Sequence, residues 1–399
     1  MSISFSSNHG CVVACLAYAS AEFGDNLGGY GSGILYICYA LTSFLIAKPI
    51  VTMIGPKNGL LIGLGGYCFY VAGFLLALMT SNVQLRWIFF IIACVCGGTS
   101  GGFLWTSQGR YFARNAKVYA ECYHAVCPEY ESESQSNDEN GSGSGSGPGG
   151  RSSDTGNNSL LSNDIQEIDS NLPNNKHNMK LKSIEQVYKQ VNSSFAGIFA
   201  TCYLGLEVVT KVIATVVFIS DEGNAPFIIF TIYTAIAILA FISVYNLDTL
   251  GEDGTWVFDT DTMVTNSLSA GRMMVTDSKL TCLLPFQLAF GFVASYMQYY
   301  VFGTVVADSD SLGGTYIGLL SAIIALTGAM TAIPAGILAN KFGKSVLMVT
   351  GGICFALAGF TFLVISADDL GTWTYIVPYL IIFGIGRGTW VSIFVYICM

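Results

Sequence analysis

Three ionisable side chains lie deep inside apolar stretches of this sequence, where charge is costly. Glu207 and Lys211 sit in SFAGIFATCYLGLEVVTKVIATVVFI, four residues apart, so a helix would carry them on one face. Arg387 sits in LIIFGIGRGTWVSIF between Gly386 and Gly388, which leave room beside it for a partner or an anionic group. Ionisable groups in hydrocarbon pair with one another or face a water-filled path. Glu207 and Lys211 therefore have two readings. They are a cavity pair that binds an ion or is protonated and re-paired during a transport cycle, or a static ion pair that fixes helix packing. Arg387 is read as a cavity residue on the same grounds. Gln287 and Gln298, with Tyr296, Tyr299 and Tyr300, form a polar stripe suited to lining a pathway. Aromatics near helix ends also serve as interface anchors.

No soluble-enzyme chemistry competes with this. The sequence has no glycine-rich dinucleotide fingerprint after a strand, no Walker lysine motif, no HExxH and no nucleophile elbow. His9, His124 and His177 form no constellation in the sequence. Cys122, His124 and Cys127 offer three ligands without a fourth nearby, short of a structural zinc set. The chain is read as a non-enzyme with no cofactor, no metal and no nucleic-acid partner.

The elements that must position these groups are membrane helices. The chain has 399 residues, 52% of them hydrophobic and only 11% charged, with a mean hydropathy of +0.57. Soluble domains carry about 25% charged residues. Apolar runs of about 20 residues, enough to cross a bilayer as a helix, are expected near 3–21, 30–52, 59–80, 87–106, 194–219, 226–244, 281–303, 315–338, 346–365 and 374–396. The first is only moderately apolar. The fold class is all-α, a polytopic membrane protein whose partner is the lipid bilayer.

The chain repeats itself. Gly65-Gly66, Cys68-Phe69 and Ala72-Gly73-Phe74 match Gly351-Gly352, Cys354-Phe355 and Ala358-Gly359-Phe360, and Pro49 has a counterpart in Pro334. The turn Gly55-Pro56-Lys57 is set against Phe342-Gly343-Lys344. Lys57 and Lys344 in these loops either latch the two halves in one state or merely set topology. Arg387 falls near the position of the glycine-rich run Gly97-Gly98-Thr99-Ser100-Gly101-Gly102, whose small residues suit a close or sliding helix contact.

The organisation follows. Residues 1–120 hold four helices, 121–190 form a polar insert, 191–245 hold two more helices, 246–279 form a central join, and 280–399 hold the last four. The insert is rich in glycine and serine and nearly free of aromatics, so it is expected to be disordered. With the N-terminus in the cytoplasm, Lys57, Arg110, Arg114, Lys117, Lys279, Lys341 and Lys344 all fall on the cytoplasmic side, as the positive-inside rule favours. Asp25, Asp221, Glu222, Asp308, Asp310, Asp368 and Asp369 fall opposite, with Arg86 the one basic exception.

Paired hairpins, short turns and a longer central join resemble the major facilitator superfamily. Within it the chain resembles the UNC-93-like family, through Gly33-Ile34-Leu35-Tyr36, through Gly55-Pro56-Lys57 with Gly63, Tyr67 and Ala72-Gly73, and above all through Leu104-Trp105-Thr106-Ser107-Gln108-Gly109-Arg110-Tyr111. The resemblance marks Trp105, Gln108, Gly109, Arg110 and Tyr111 as gate or family-motif residues. It implies twelve helices, of which about ten are present, so the sequence is expected to lack the last two. It also implies an ion or solute transporter, or a regulator of potassium-channel activity. The alternative is a non-transporting escort for receptors, and both alternatives imply another membrane protein, channel or receptor, as partner. Under the transport reading, titration of Glu207 is the natural coupling step.

Overall fold

The structure is a computed structural model that describes residues 1–23, 27–126, 174–247 and 275–398, with Thr265, Ser269 and residues 271–273. Residues Met1–Phe112 and Phe195–Met399 form one unit, and Ala113–Ser194 form a second. The described residues are helical, with no strand among them. In chain order the long helices are α1 (Ser2–Phe23), α2 (Leu27–Ile54), α3 (Pro56–Met79), α4 (Val83–Val126), α5 (Asn174–Ser220) and α6 (Ala225–Tyr245). Then come α7 (Ser278–Tyr296, continuing as a π-helix Met297–Val306), α8 (Ile317–Phe342), α9 (Lys344–Phe360) and α10 (Trp373–Cys398). Each expected span is met by one of these. The helices bordering the insert run further than expected, to Val126 and from Asn174, and residues 127–173 lie outside the described residues.

Among the described residues, seven helices, α2–α6, α8 and α9, are long and apolar enough to cross a membrane. α1 is the least apolar of the first three helices, and it carries Asn8 and His9. Polar residues are tolerated in a membrane helix that faces protein rather than lipid. α1 shows why. Phe5, Cys11, Ala14, Cys15 and Ala17 are fully buried, and so is the amide-bearing Asn8. Asn8 donates to the backbone carbonyls of Leu64 on α3 and Ala237 on α6, at 3.5 and 3.2 Å. α1 packs on α2, α3 and α6 of the first half and on α7 and α8 of the second. A helix so enclosed does not need an apolar outer face.

α3 shows the opposite arrangement. Gly59, Gly63, Gly66 and Gly73 lie on one face, and a Cβ at these positions would run into Ser107, Leu104, Ser100 and Ala93 of the antiparallel α4. Without side chains the two backbones meet closely. On an adjacent face of α3, Ile62, Phe69 and Leu76 recur every seven residues and are exposed. Such an apolar stripe belongs against lipid, and the chain is an integral, multi-pass membrane protein.

The repeat is visible in the backbone. Gly55 closes α2 at φ 83°, ψ 158°, and Gly343 closes α8 at φ 86°, ψ 162°. This left-handed conformation is open to glycine at no steric cost. The turns thus coincide with Gly55 on Gly343, one residue away from the pairing read in the sequence. Lys57 is then the second residue of its helix and Lys344 the first. Two identities compete here, lysine on lysine or glycine on glycine, and the shared backbone angle selects the glycines. Before the turn, α2 widens into a π-helix at Thr42–Ala47, directly ahead of Lys48-Pro49. Proline has no N–H to donate back along the helix, and its ring crowds the preceding turn.

Candidate functional site

The charges singled out in the sequence meet. Glu207 and Lys211 lie on one face of α5, and Lys211 Nζ donates to Glu207 Oε1 at 2.5 Å. Arg387 on α10 grips the same carboxylate with both ends of its guanidinium, Nη1 to Oε1 at 2.7 Å and Nη2 to Oε2 at 2.5 Å. This two-pronged geometry requires a carboxylate whose two oxygens both accept, and it is the strong form of an Arg–carboxylate pair. Lys211 also donates to the Ser321 carbonyl on α8 at 3.2 Å. Glu207 is fully buried, Lys211 nearly so, and the Arg387 side chain is 11% exposed. The Glu207 carboxylate therefore ties α5 to α10 across the two halves, and Lys211 ties α5 to α8.

Local packing fixes the positions. Gly10 of α1 lets α5 approach at Glu207 and Thr210, and a Cβ on Gly318 of α8 would meet the Lys211 carbonyl. Tyr233 of α6 donates to the Thr210 carbonyl at 2.6 Å, pinning α5 beside the charges. On α10, Gly384 and Gly388 pack on α8, and Gly386 packs on Phe355 and Cys354 of α9. That close seat turns Arg387 inward.

Beside the charges lies a cavity of about 790 Å³. Its wall includes Lys211 and Arg387 and the predicted Gln287, Gln298 and Trp105. Trp390 stacks on Phe290 with ring centres 3.8 Å apart, and its indole N–H donates to Gln287 Oε1 at 2.9 Å. An indole nitrogen only donates, so the Gln287 oxygen is fixed and its NH₂ is turned elsewhere. The sequence did not reveal His9. It lies in an aromatic cage, with ring centres 5.7 Å from Tyr67, 5.4 Å from Trp105 and 5.2 Å from Tyr203, and its Nδ1 is buried without a partner among the described residues. The only sequence signal was the run of Ser4, Ser6, Asn8 and His9 in a weakly apolar helix. Tyr36 and Tyr67 join the same wall.

The remaining motif residues lie away from the cavity wall. Gln108 and Gly109 are buried on α4, and Tyr111 nearly so. Arg110 is exposed and donates to Thr52 Oγ1 of α2 at 2.6 Å. Lys57 donates to the Leu247 carbonyl just past α6, a contact inside the first half. The Lys344 side chain lies outside the described residues. Among the described residues no cluster of three His, Cys, Asp or Glu is arranged to hold a metal.

Comparison with known proteins gives a consistent picture. The Major Facilitator Superfamily model matches residues 189–399, and the model of the "Ion channel regulatory protein UNC-93" family matches residues 21–120. The chain is similar to UNC93-like protein 3 of Arabidopsis thaliana, with 29% identity over 110 residues. That match covers 26% of this chain and 22% of the relative's length. In fold it is similar to the xylose transporter XylE from E. coli in a partially occluded inward open conformation. The TM-score is 0.52 at 11% identity, over 98% of this chain and 84% of that one. The proton:xylose symporter XylE bound to 6-bromo-6-deoxy-D-glucose gives 0.53 at 11% identity, over 98% and 78%.

Proposed function

The chain belongs to the UNC-93-like family of the major facilitator superfamily, and from that premise we propose that it carries a small solute across the bilayer by alternating access. One observation supports this most: the buried link from Arg387 on α10 to Glu207 on α5, beside a cavity lined from both halves. In such carriers the halves rock about a central site. A charge link between the halves holds one state and must be exchanged to reach the other. XylE, whose fold it shares, is a xylose transporter seen in a partially occluded inward open conformation. Glu207 is the coupling group of this proposal. It faces Lys211 and Arg387, with His9 and Tyr203 nearby, and a proton on it would loosen the grip of Arg387. The N-terminus is proposed to face the cytoplasm.

The test is uptake of a panel of cations and small solutes into sealed proteoliposomes, with and without a pH gradient. Saturable uptake of at least one solute is the expected result. Folded protein that moves nothing on the panel contradicts the proposal. Equal uptake by wild type and Glu207→Gln at every pH would exclude Glu207 as the coupling group.

A second reading is regulation of a channel, which the description of the family matching residues 21–120 favours. It predicts a co-purifying membrane protein and no solute-dependent change in the cavity.

A further inference from the structure

We infer that the solute is an organic anion, a carboxylate with an apolar or aromatic body. This rests on the carrier reading above and adds the chemistry of what is carried. The charges beside the cavity do not balance: Lys211 and Arg387 bring two positive charges and Glu207 one negative. The described residues that line the cavity include both cations and no carboxylate. The group is thus left with one excess positive charge in a poorly solvated place, which a bound anion would neutralise.

The donors are arranged to match. Both Glu207 oxygens are engaged, yet the cations keep capacity. Lys211 spends two of its three N–H donors, on Glu207 and the Ser321 carbonyl. Gln287 has its oxygen taken by Trp390, which leaves its NH₂ as the group to offer. The hydroxyls of Tyr36, Tyr67 and Tyr203 belong to the same wall. A carboxylate accepts from such groups and gives nothing back that they cannot use.

The rest of the wall sets the body of the ligand. Apolar side chains, among them Leu16, Leu35, Phe290, Phe302, Ile324 and Phe383, supply most of it. A volume of about 790 Å³ is far more than an inorganic anion needs, and sits within the ~300–1,000 Å³ typical of small-molecule sites. Apolar lining with a few convergent donors fits a molecule charged at one end.

The test is binding to the full chain in nanodiscs, by equilibrium dialysis of labelled 4-phenylbutyrate, its uncharged amide and 4-phenylbutylamine, with empty nanodiscs as blank. The carboxylate should bind at least about tenfold tighter than the amide, and the amine weakest. Lys211→Met and Arg387→Gln each bring the group to neutrality by a different route. Each should cut carboxylate affinity about tenfold and leave the amide little changed, so amide binding also reports that the cavity is intact. Equal binding of amide and carboxylate, preference for the amine, binding of none of the three, or an unchanged carboxylate-to-amide ratio in both variants overturns the inference. The carrier reading fails separately. Anion-selective binding without exchange across proteoliposomes upholds the anion site and removes carriage, whereas exchange of the amide without charge selectivity does the reverse.

Discussion

In the first half, Gly98 and Gly102 of α4 lie against Leu35 and Thr42 of α2. In the second, Gly384 and Gly388 of α10 lie against Ile324 and Gly328 of α8. The two pairs are separated by the same step along the chain, the step that also carries Gly65-Gly66 onto Gly351-Gly352. On that step Gly101 corresponds to Arg387. Both line the cavity. The first half offers at this point a bare backbone beside Tyr39 and Tyr67. The second half offers a guanidinium that reaches α5 in the first half. One scaffold used twice thus places a charge on one side and none on the other. The repeat is broken at the charge and kept in the glycine packing.

The glycines of the hairpins differ as well. Gly63 and Gly66 of α3 are wedged against α4, whereas a Cβ on Gly352 or Gly359 of α9 meets no described atom within 4 Å.

The largest effect should come from removing the one anion of the charge group. Glu207→Gln leaves Lys211 and Arg387 side by side and buried with no counter-charge. Loss of one partner of a buried pair costs ~3–5 kcal/mol, so most of the folded protein should be lost, or its melting temperature in detergent strongly lowered. Arg387→Gln keeps the Glu207–Lys211 pair and should melt closer to wild type. If the two variants melt alike, the carboxylate is not the centre of the group.

Gly63→Val should come next. The new side chain meets Leu104 across the α3–α4 contact, and overpacking of this kind costs ~1–3 kcal/mol. The same change at Gly352 should leave the stability within about 0.5 kcal/mol of wild type. Equal losses at both sites would mean that the two hairpins are packed alike after all.

The smallest effect belongs to Tyr233→Phe. It removes the hydroxyl bond to the Thr210 carbonyl, worth ~1 kcal/mol, and should slightly lower the melting temperature by loosening α5 beside Glu207. No change would show that this bond adds nothing to the packing and charges that already hold α5.

Much of this was legible in the sequence because it is written in local pattern. The spans follow from apolar run length, the repeat from matching residues, and Glu207 with Lys211 from a spacing of four. What joins Glu207 to Arg387 was not legible. The two are distant in the chain, and only the fold decides which buried charge another one meets. His9 was passed over because its importance lies in Tyr67, Trp105 and Tyr203 converging on it from other helices. The family motif also divided in space. Trp105 lines the cavity, while Arg110 ends at Thr52, since a helix turns such a run of residues through every direction.

The measurement that bears most directly on the link between the halves is initial uptake into sealed proteoliposomes by wild type and Arg387→Ala, at matched reconstitution and with both proteins shown to be folded. The account predicts saturable uptake by wild type and its loss, by about 100-fold or more (~2.7 kcal/mol), in the variant. Undiminished uptake by folded Arg387→Ala would contradict it, because the two halves would then be working without the contact said to couple them.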